Sequence, residues 1–244
     1  MDQSMIFLVL CELFLPLLSF MALISFGKKL GNHAHWISIV LIGIMLGISM
    51  IFFGNIFNHS NHLMIKESTT WFTTGAFTVH LGILIDNTSA IMMLVVALIS
   101  FLVHVYSIAY MEGDARYSRY FAYLGLFTFS MNGIVIADSL IMMYVFWELV
   151  GLSSYLLIGF WFEKDSAANA CKKAFLINRV GDIGMFIGIM IFFFSVGTFQ
   201  IEGLIDGVGQ GKFANNTGLL TIAGVLVFLG AVGESAQFPL HIWL

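Results

Sequence analysis

Residues 142–161 read Met-Met-Tyr-Val-Phe-Trp-Glu-Leu-Val-Gly-Leu-Ser-Ser-Tyr-Leu-Leu-Ile-Gly-Phe-Trp. At about 1.5 Å rise per residue such a run spans about 30 Å, the thickness of a bilayer's hydrocarbon core. One carboxylate, Glu148, lies about nine residues into it, roughly 13 Å deep. A charge at that depth costs about 2.5–3.5 kcal/mol on insertion scales and is rarely left there without a task. Gly151 and Tyr155 follow at three and seven positions, so a small and polar stripe shares the glutamate's face and is expected to point into a helix bundle. A protonated carboxyl that only glues helices together is the bland alternative, and an ion pathway outweighs it.

Outward from this stretch the composition agrees. Hydrophobic residues make up 59% of the 244 and charged residues 10%, whereas a soluble domain carries about 25% charge. That excludes a soluble globular protein and leaves a polytopic membrane protein embedded in the lipid bilayer. The net charge of −4 says little about partners, and no basic patch with interleaved aromatics suggests nucleic acid. Cys11 and Cys171 lie in or beside apolar runs without metal-ligand spacing and read as small buried residues. The first apolar run follows Asp2 rather than a basic residue and is too long for a signal-peptide core, so it reads as a retained helix.

Seven membrane-spanning helices are expected, at residues 5–26, 36–57, 90–110, 120–137, 140–162, 174–197 and from about 217. The fold class is therefore all-α, a transmembrane helical bundle. Only Asp138-Ser139 separates the fourth and fifth helices, which predicts a tight antiparallel pair. The long connection 58–87 contains a candidate extramembrane hairpin at 71–84. Glu12 lies near the end of the first helix and is expected to face headgroups. The histidines of 31–35 and 58–62 read as solvated.

The sixth helix opens with Lys172 and Lys173, which read as snorkelling anchors, and continues with Asn178, Arg179 and Asp182. Arg179 and Asp182, three apart, can pair on one helix face. For Arg179, structural pairing and a functional role stand level. The seventh helix ends Gly230-Ala231-Val232-Gly233-Glu234-Ser235-Ala236-Gln237-Phe238-Pro239, glycines and a proline around a charge, which marks an interrupted helix of the kind that lines ion sites. His104, inside the third helix, can relay protons, although a hydrogen-bonded core histidine is the commoner outcome. With no nucleotide loop, nucleophile triad or metal cluster, these titratable helices point to proton movement rather than covalent chemistry.

Several motifs resemble those of the large antiporter-like subunit, subunit L, of NADH-quinone oxidoreductase (respiratory complex I). They are His104-Val105-Tyr106-Ser107 with Tyr110-Met111; Gly113-Asp114-Ala115-Arg116-Tyr117-Ser118-Arg119-Tyr120; the 147–161 stretch; Lys173-Ala174-Phe175 with Asn178-Arg179-Val180-Gly181-Asp182; and Gly230-Ala231-Val232-Gly233 with Ser235-Ala236-Gln237-Phe238-Pro239-Leu240-His241. The resemblance covers nearly the whole chain, and cation/proton antiporter large subunits are similar. It implies an antiporter-like fold of two inverted repeats, each with a broken helix, and proton translocation driven by quinone reduction in partner subunits. This subunit would belong to a translocating oxidoreductase without performing redox chemistry. It would hold no cofactor, with NADH, FMN, iron–sulfur clusters and quinone in its partners, the other complex I subunits, and would sit in a bacterial inner (cell) membrane.

By residue, the resemblance implies that Glu148 is the buried glutamate of the fifth helix and Asp182 the acidic residue of the sixth, with Arg179 in the same motif. Lys173 and His104 join the expected proton pathway. The family places a lysine after Gly-Ala-Val-Gly, paired across a cavity with the glutamate, whereas this chain has Glu234. An acid there could hand on a proton but could not stabilise ionised Glu148 as an ammonium would. Residues 1–110, with the loop 58–87, are expected to form the N-terminal helices, and residues 111–244 an incomplete first repeat. The chain stops at Leu244 within a His-x-Trp-Leu motif, so a fragment is expected. The rival readings are a multisubunit sodium/proton antiporter subunit and an inert membrane remnant.

Orientation follows from the basic residues. Lys28, Lys29, Arg116, Arg119, Lys164, Lys172 and Lys173 fall on one side and only Lys66 and Lys212 on the other. Cytoplasmic loops carry the excess. Cysteine substituted at Ala115 should therefore label from the cytoplasm, and cysteine at Asn61 from the opposite face. Labelling of residue 61 from the cytoplasm alone would overturn this topology.

Overall fold

The structure, a computed structural model, describes residues 3–58, 64–75 and 77–244. Helices run over Gln3–Leu30 (α1), Ala34–Asn58 (α2), Asn87–Tyr110 (α3), Tyr117–Ile136 (α4), Leu140–Ile158 (α5), Asp165–Val196 (α6), Ile201–Gly209 (α7) and Thr217–Glu234 (α8). Strands Ile65–Thr74 (β1) and Phe77–Ile85 (β2) form a hairpin between α2 and α3. A hairpin is expected at 71–84, and the one observed is extended by several residues at its base. Six described helices, all but α4 and α7, are long and apolar enough to cross a membrane. The 20-residue α4 is long enough but carries Thr128, Ser130 and Asn132. Asn61 and the histidines at 59 and 62 lie outside the described residues.

The chain divides into two compact units, Met1–Lys66 with Leu84–Ile136, and Glu67–Ile83 with Ala137–Leu244. The expected Asp138-Ser139 helix pair is thus divided between them.

In the first unit α1 packs on α4 and α2, and α2 on α3. Ile42, Met45, Leu46 and Ala97 form a core cluster with Leu15, Leu94 and Phe101 against it. Pro16 lies inside α1. It has no N–H to give the carbonyl of Glu12, one turn back, and Asn132 Nδ2 donates to that oxygen at 3.4 Å instead. At Gly125 a Cβ would stand 2.9 Å from the Pro16 carbonyl, so glycine is what lets α4 approach this turn. Glu12 is 1% exposed, which corrects the expectation that it faces headgroups. Glu12 is held in the interior by Ser49, which donates to its Oε1, and by Asn132 beside its carbonyl. His35 is also not free in solvent: it is half-buried, with Nδ1 3.0 Å from the Tyr117 hydroxyl.

In the second unit the dominant contact is α6 against α8. A Cβ at Gly181 would lie 2.8 Å from the Leu229 carbonyl, and at Gly188 2.7 Å from the Ala223 carbonyl and 2.8 Å from the Val227 nitrogen. Gly230 approaches Met185, and Gly233 approaches Gly181. These glycines let two backbones touch, as membrane helices do where lipid offers no hydrophobic drive to pack. Helix α6 begins at Asp165, earlier than expected, because an acidic first turn and the alanines that follow favour helix there. Lys172 and Lys173 are consequently inside the helix rather than ahead of it. The short α7 was not anticipated, being too brief to span a membrane.

The turn before α5 is stitched to the hairpin and to the α6–α7 link. Ile83 bridges Ala137 and Ser139 bridges Gln200. Ile201 N–H donates to the Asp138 carbonyl at 3.0 Å, and Leu140 N–H to the Phe199 carbonyl at 2.9 Å. The Asp138 carboxyl is buried over Gly82, and burial pushes its pKa above the usual carboxylate range.

The α6–α8 contact can be tested with two glycines. Gly188→Ala should lower stability by about 1–3 kcal/mol, since only backbone can yield to it. Gly224→Ala on α8 meets nothing within 4 Å and should be neutral or raise stability by up to about 1 kcal/mol. Thermal unfolding in detergent measures both, and equal shifts would contradict the close-contact account.

Candidate functional site

Helices α5, α6 and α8 bring their charged residues together within the second unit. Glu148, mid-α5, forms an ion pair with the Arg179 guanidinium. Tyr144, one turn before Glu148, donates its hydroxyl to Glu148 Oε1 at 2.7 Å. The arginine carbon lies 4.8 Å from the centre of the Phe175 ring, one turn before it on α6, within cation–π range. Phe175 in turn meets Tyr155 edge-on at 5.5 Å. Arg179 is therefore held from both sides, by a carboxylate on α5 and an aromatic face on its own helix.

This differs from the expected pairing within α6. Arg179 turns to Glu148 rather than to Asp182, because Asp182 lies on the buried face of α6 with Asn178 and Gly181. Asp182 is 3% exposed, and its Oδ1 has no hydrogen-bond partner among the described residues. The Trp147 indole N–H, equally unsatisfied, lies beside it. A buried unsatisfied carboxylate oxygen costs about 1–3 kcal/mol, so Asp182 is not explained as packing.

Glu234 is the last residue of α8, and the chain reverses there in a defined motif. Gln237 N–H donates to the Val232 carbonyl at 2.9 Å and Ala236 N–H to the Gly233 carbonyl at 3.3 Å, with Ala236 left-handed at φ 50°. This is the Schellman arrangement, which ends a helix with its last carbonyls satisfied. Trp243, in a short 3-10 turn beyond, donates its indole N–H to the Gly233 carbonyl at 2.9 Å. The interruption expected after the seventh apolar run is thus a capped end at Glu234.

Because Gly233 lies against Gly181 and Asn178, the Glu234 side chain reaches α6. There it accepts a hydrogen bond from Asn178 Nδ2. Asp182 and Glu148 are close enough to act on it electrostatically. The carboxyl end of a helix favours a cation, so a lysine would suit this position and Glu234 stands against the local dipole.

The site therefore gathers three carboxyls, Glu148, Asp182 and Glu234, one guanidinium and one primary amide. Sequence reading singled out every charged member. It did not assign roles to Tyr144, Trp147 or Asn178, although Tyr144 was findable from its four-residue spacing to Glu148. Lys173 is exposed on α6 and stands outside this hydrogen-bonded set. His104 belongs to the other unit, where it is buried with Nδ1 2.8 Å from the Ser100 carbonyl. Among the described residues no three His, Cys, Asp or Glu side chains are arranged to hold a metal ion.

A membrane bundle with paired charges on α5 and α6 and a carboxyl at the capped end of α8 defines an antiporter-like subunit. Two family models match: the complex I (NADH-ubiquinone oxidoreductase) chain 5 N-terminus over residues 71–121, and the NADH:quinone oxidoreductase/Mrp antiporter membrane domain over residues 137–244. The chain is 42% identical over 227 residues to a chloroplast NAD(P)H-quinone oxidoreductase subunit 5 from Chaetosphaeridium globosum, covering 91% of this chain and 34% of that protein. It is 41% identical over 232 residues to NAD(P)H-quinone oxidoreductase chain 5 of Synechocystis, covering 91% of this chain and 33% of that one. The chain thus spans about a third of the length of these curated relatives.

Two solved assemblies share the fold. A chain of the archaeal membrane-bound sulfane sulfur reductase matches with TM-score 0.81 at 18% identity, covering 99% of this chain and 47% of that one. A chain of the Mrp complex from a Dietzia strain matches with TM-score 0.79 at 21% identity, covering 99% and 25%. The chain is an integral membrane protein and belongs to the family of complex I chain 5, the antiporter-like L subunits.

The Tyr144–Glu148 contact gives a local test. Tyr144→Phe should cost about 0.5–1.5 kcal/mol, the worth of one hydrogen bond at a partly exposed carboxylate. In a double-mutant cycle with Glu148→Leu, which cannot accept the hydrogen bond, a coupling of about 1 kcal/mol is expected. Simple additivity would mean that the tyrosine only fills space.

Proposed function

We propose that this chain contributes to a proton-translocating membrane subunit of an NAD(P)H-quinone oxidoreductase. The observation that supports this reading is the pairing of Glu148 with Arg179 beside a buried carboxyl, Asp182, and a half-buried one, Glu234. With one fixed positive charge among three acids, the cluster is neutral only when two of the acids carry protons. Adding or removing a proton therefore changes which acid Arg179 neutralises, and interacting acids of this kind titrate as a set. Structural ion pairs need one carboxylate per guanidinium. The surplus acids are what suit the site to passing protons.

Glu148 is the proton-holding group and Arg179 its counter-ion. Asp182 and Glu234 are alternative proton acceptors, with Asn178 positioning Glu234. Lys173 would act at the basic side, and His104 in the first unit. Residues 111–244 would form part of a first antiporter-like repeat. The driving reaction, quinone reduction, would occur in partner subunits that hold NADH or NADPH, FMN and iron–sulfur clusters, and the chain would pack against other membrane subunits of that complex. The membrane is proposed to be an energy-coupling one, a bacterial cell membrane in the simplest case.

Vesicle acidification measured beside NAD(P)H oxidation tests this in the assembled complex. Glu148→Gln keeps the shape and the Tyr144 contact, so assembly should persist while acidification per NAD(P)H oxidised falls about tenfold or more. Unchanged acidification would reduce Glu148 to helix glue. Glu234→Lys should raise pumping, because an ammonium there can stabilise ionised Glu148 and matches the helix end.

A further inference from the structure

The first unit holds a second set of buried polar groups, which the Glu148 cluster does not use. Glu12 on α1, Ser49 on α2, Ser100 and His104 on α3, and Thr128 and Asn132 on α4 lie in the interior of the four-helix unit. Glu12, Asn132 and His104 are each 1% exposed. They form two hydrogen-bonded groups: Ser49 donates to Glu12 Oε1, and Asn132 reaches the Glu12 carbonyl. Thr128 Oγ1 lies 2.6 Å from Ser100 Oγ, which is 3.4 Å from His104 Nδ1. Thr128 and Asn132 are one turn apart on α4. On α3, Ser107, one turn beyond His104, donates to the Tyr120 hydroxyl at 3.5 Å. From Tyr120 to Asn132 is twelve residues of α4, about 18 Å along the helix axis.

Interhelical hydrogen bonding is the competing explanation, since polar side chains do join membrane helices. It fails on the atoms left over. Glu12 Oε2, Asn132 Oδ1 and His104 Nε2 are all buried without a hydrogen-bond partner among the described residues. Groups retained only as glue would satisfy themselves or be replaced by apolar residues at lower cost. Three unsatisfied atoms on two groups that meet one turn apart on α4, at Thr128 and Asn132, two of them on titratable side chains, are the lining expected of a chain of water molecules.

We propose that α1–α4 contain a second proton path, separate in sequence and residues from the Glu148 cluster, with His104 at one end and Glu12 at the other. It takes protons carried by water. The His104 imidazole accepts a proton at Nε2 and releases the one on Nδ1 to Ser100 Oγ, the Ser100 and Thr128 hydroxyls each accept one proton as they release another, and water carries it from Thr128 to the Glu12 carboxylate. Asn132 conducts nothing. Its amide N–H holds the carbonyl freed by Pro16, and its Oδ1 orients water toward Glu12. The proposal rests on the preceding reading in taking the proton as the transported species and His104 as one of its carriers.

The test uses the assembled complex in inverted vesicles, with two readouts. Glu12→Gln should keep NAD(P)H oxidation and lower acidification per NAD(P)H about tenfold, and Asn132→Leu should do the same. In the unaltered protein, dicyclohexylcarbodiimide, which adds to protonated carboxyls in apolar surroundings, should modify Glu12, located by mass mapping of its peptide. Asn132→Leu should suppress that modification. Normal pumping in Glu12→Gln overturns the proposal. So does a pumping loss without carbodiimide modification, which would make Glu12 a purely structural residue. If Glu12→Gln loses pumping while Glu148→Gln does not, this path stands and the Glu148 reading falls. If neither loses pumping, both fall. Should Glu12→Gln fail to assemble, modification of the unaltered protein and its loss in Asn132→Leu decide the matter.

Discussion

The ion pair between Glu148 and Arg179 is the interaction on which the second unit turns. A carboxylate deep in a membrane helix is tolerated only when something offsets its desolvation, and here the offset comes from a neighbouring helix. That requirement fixes how α5 faces α6, because Arg179 must reach across while Phe175 supports its other side. Once Arg179 is turned toward α5, Asp182, three residues on, is left on the adjoining buried face of α6. It meets Trp147 and lies within the electrostatic reach of Arg179, Glu148 and Glu234.

The second constraint is steric. Gly181, Gly184 and Gly188 on α6, with Gly230 and Gly233 on α8, allow backbone contact, and that contact carries the end of α8 to Asn178. The Schellman turn at Ala236 stops the helix there. Glycine spacing, helix end and carboxylate position are therefore one arrangement. Moving the helices apart by a methyl group would take Glu234 away from Asn178.

Much of this was legible in the sequence, for definite reasons. Apolar runs of bilayer length declare helices, because each backbone group must be paired within its own segment. The hairpin showed itself through its β-branched and aromatic content. A lone glutamate in an apolar run is conspicuous for what it costs. The partner of a charge is less readable. Spacing allowed Arg179 to meet Asp182, and only the packing of α5 on α6 decided for Glu148. Glu12 was misplaced because distance from a helix end was used as a guide to depth, whereas Pro16 and Asn132 create a polar interior beside it. The start of α6 and the existence of α7 were missed where short or charged segments carry no membrane-length signal.

The central claim is that Glu148, Asp182 and Glu234 form one proton-exchanging set around Arg179. Infrared difference spectroscopy of the protein in vesicles, recorded across a pH step in water and in deuterium oxide, addresses it most directly. The shared set requires carboxyl C=O bands that shift in deuterium oxide, and all of those bands should change together when Glu148→Gln, Asp182→Asn or Glu234→Gln is introduced singly. Bands that disappear one at a time, each without effect on the others, would show three independent carboxyls and contradict the account.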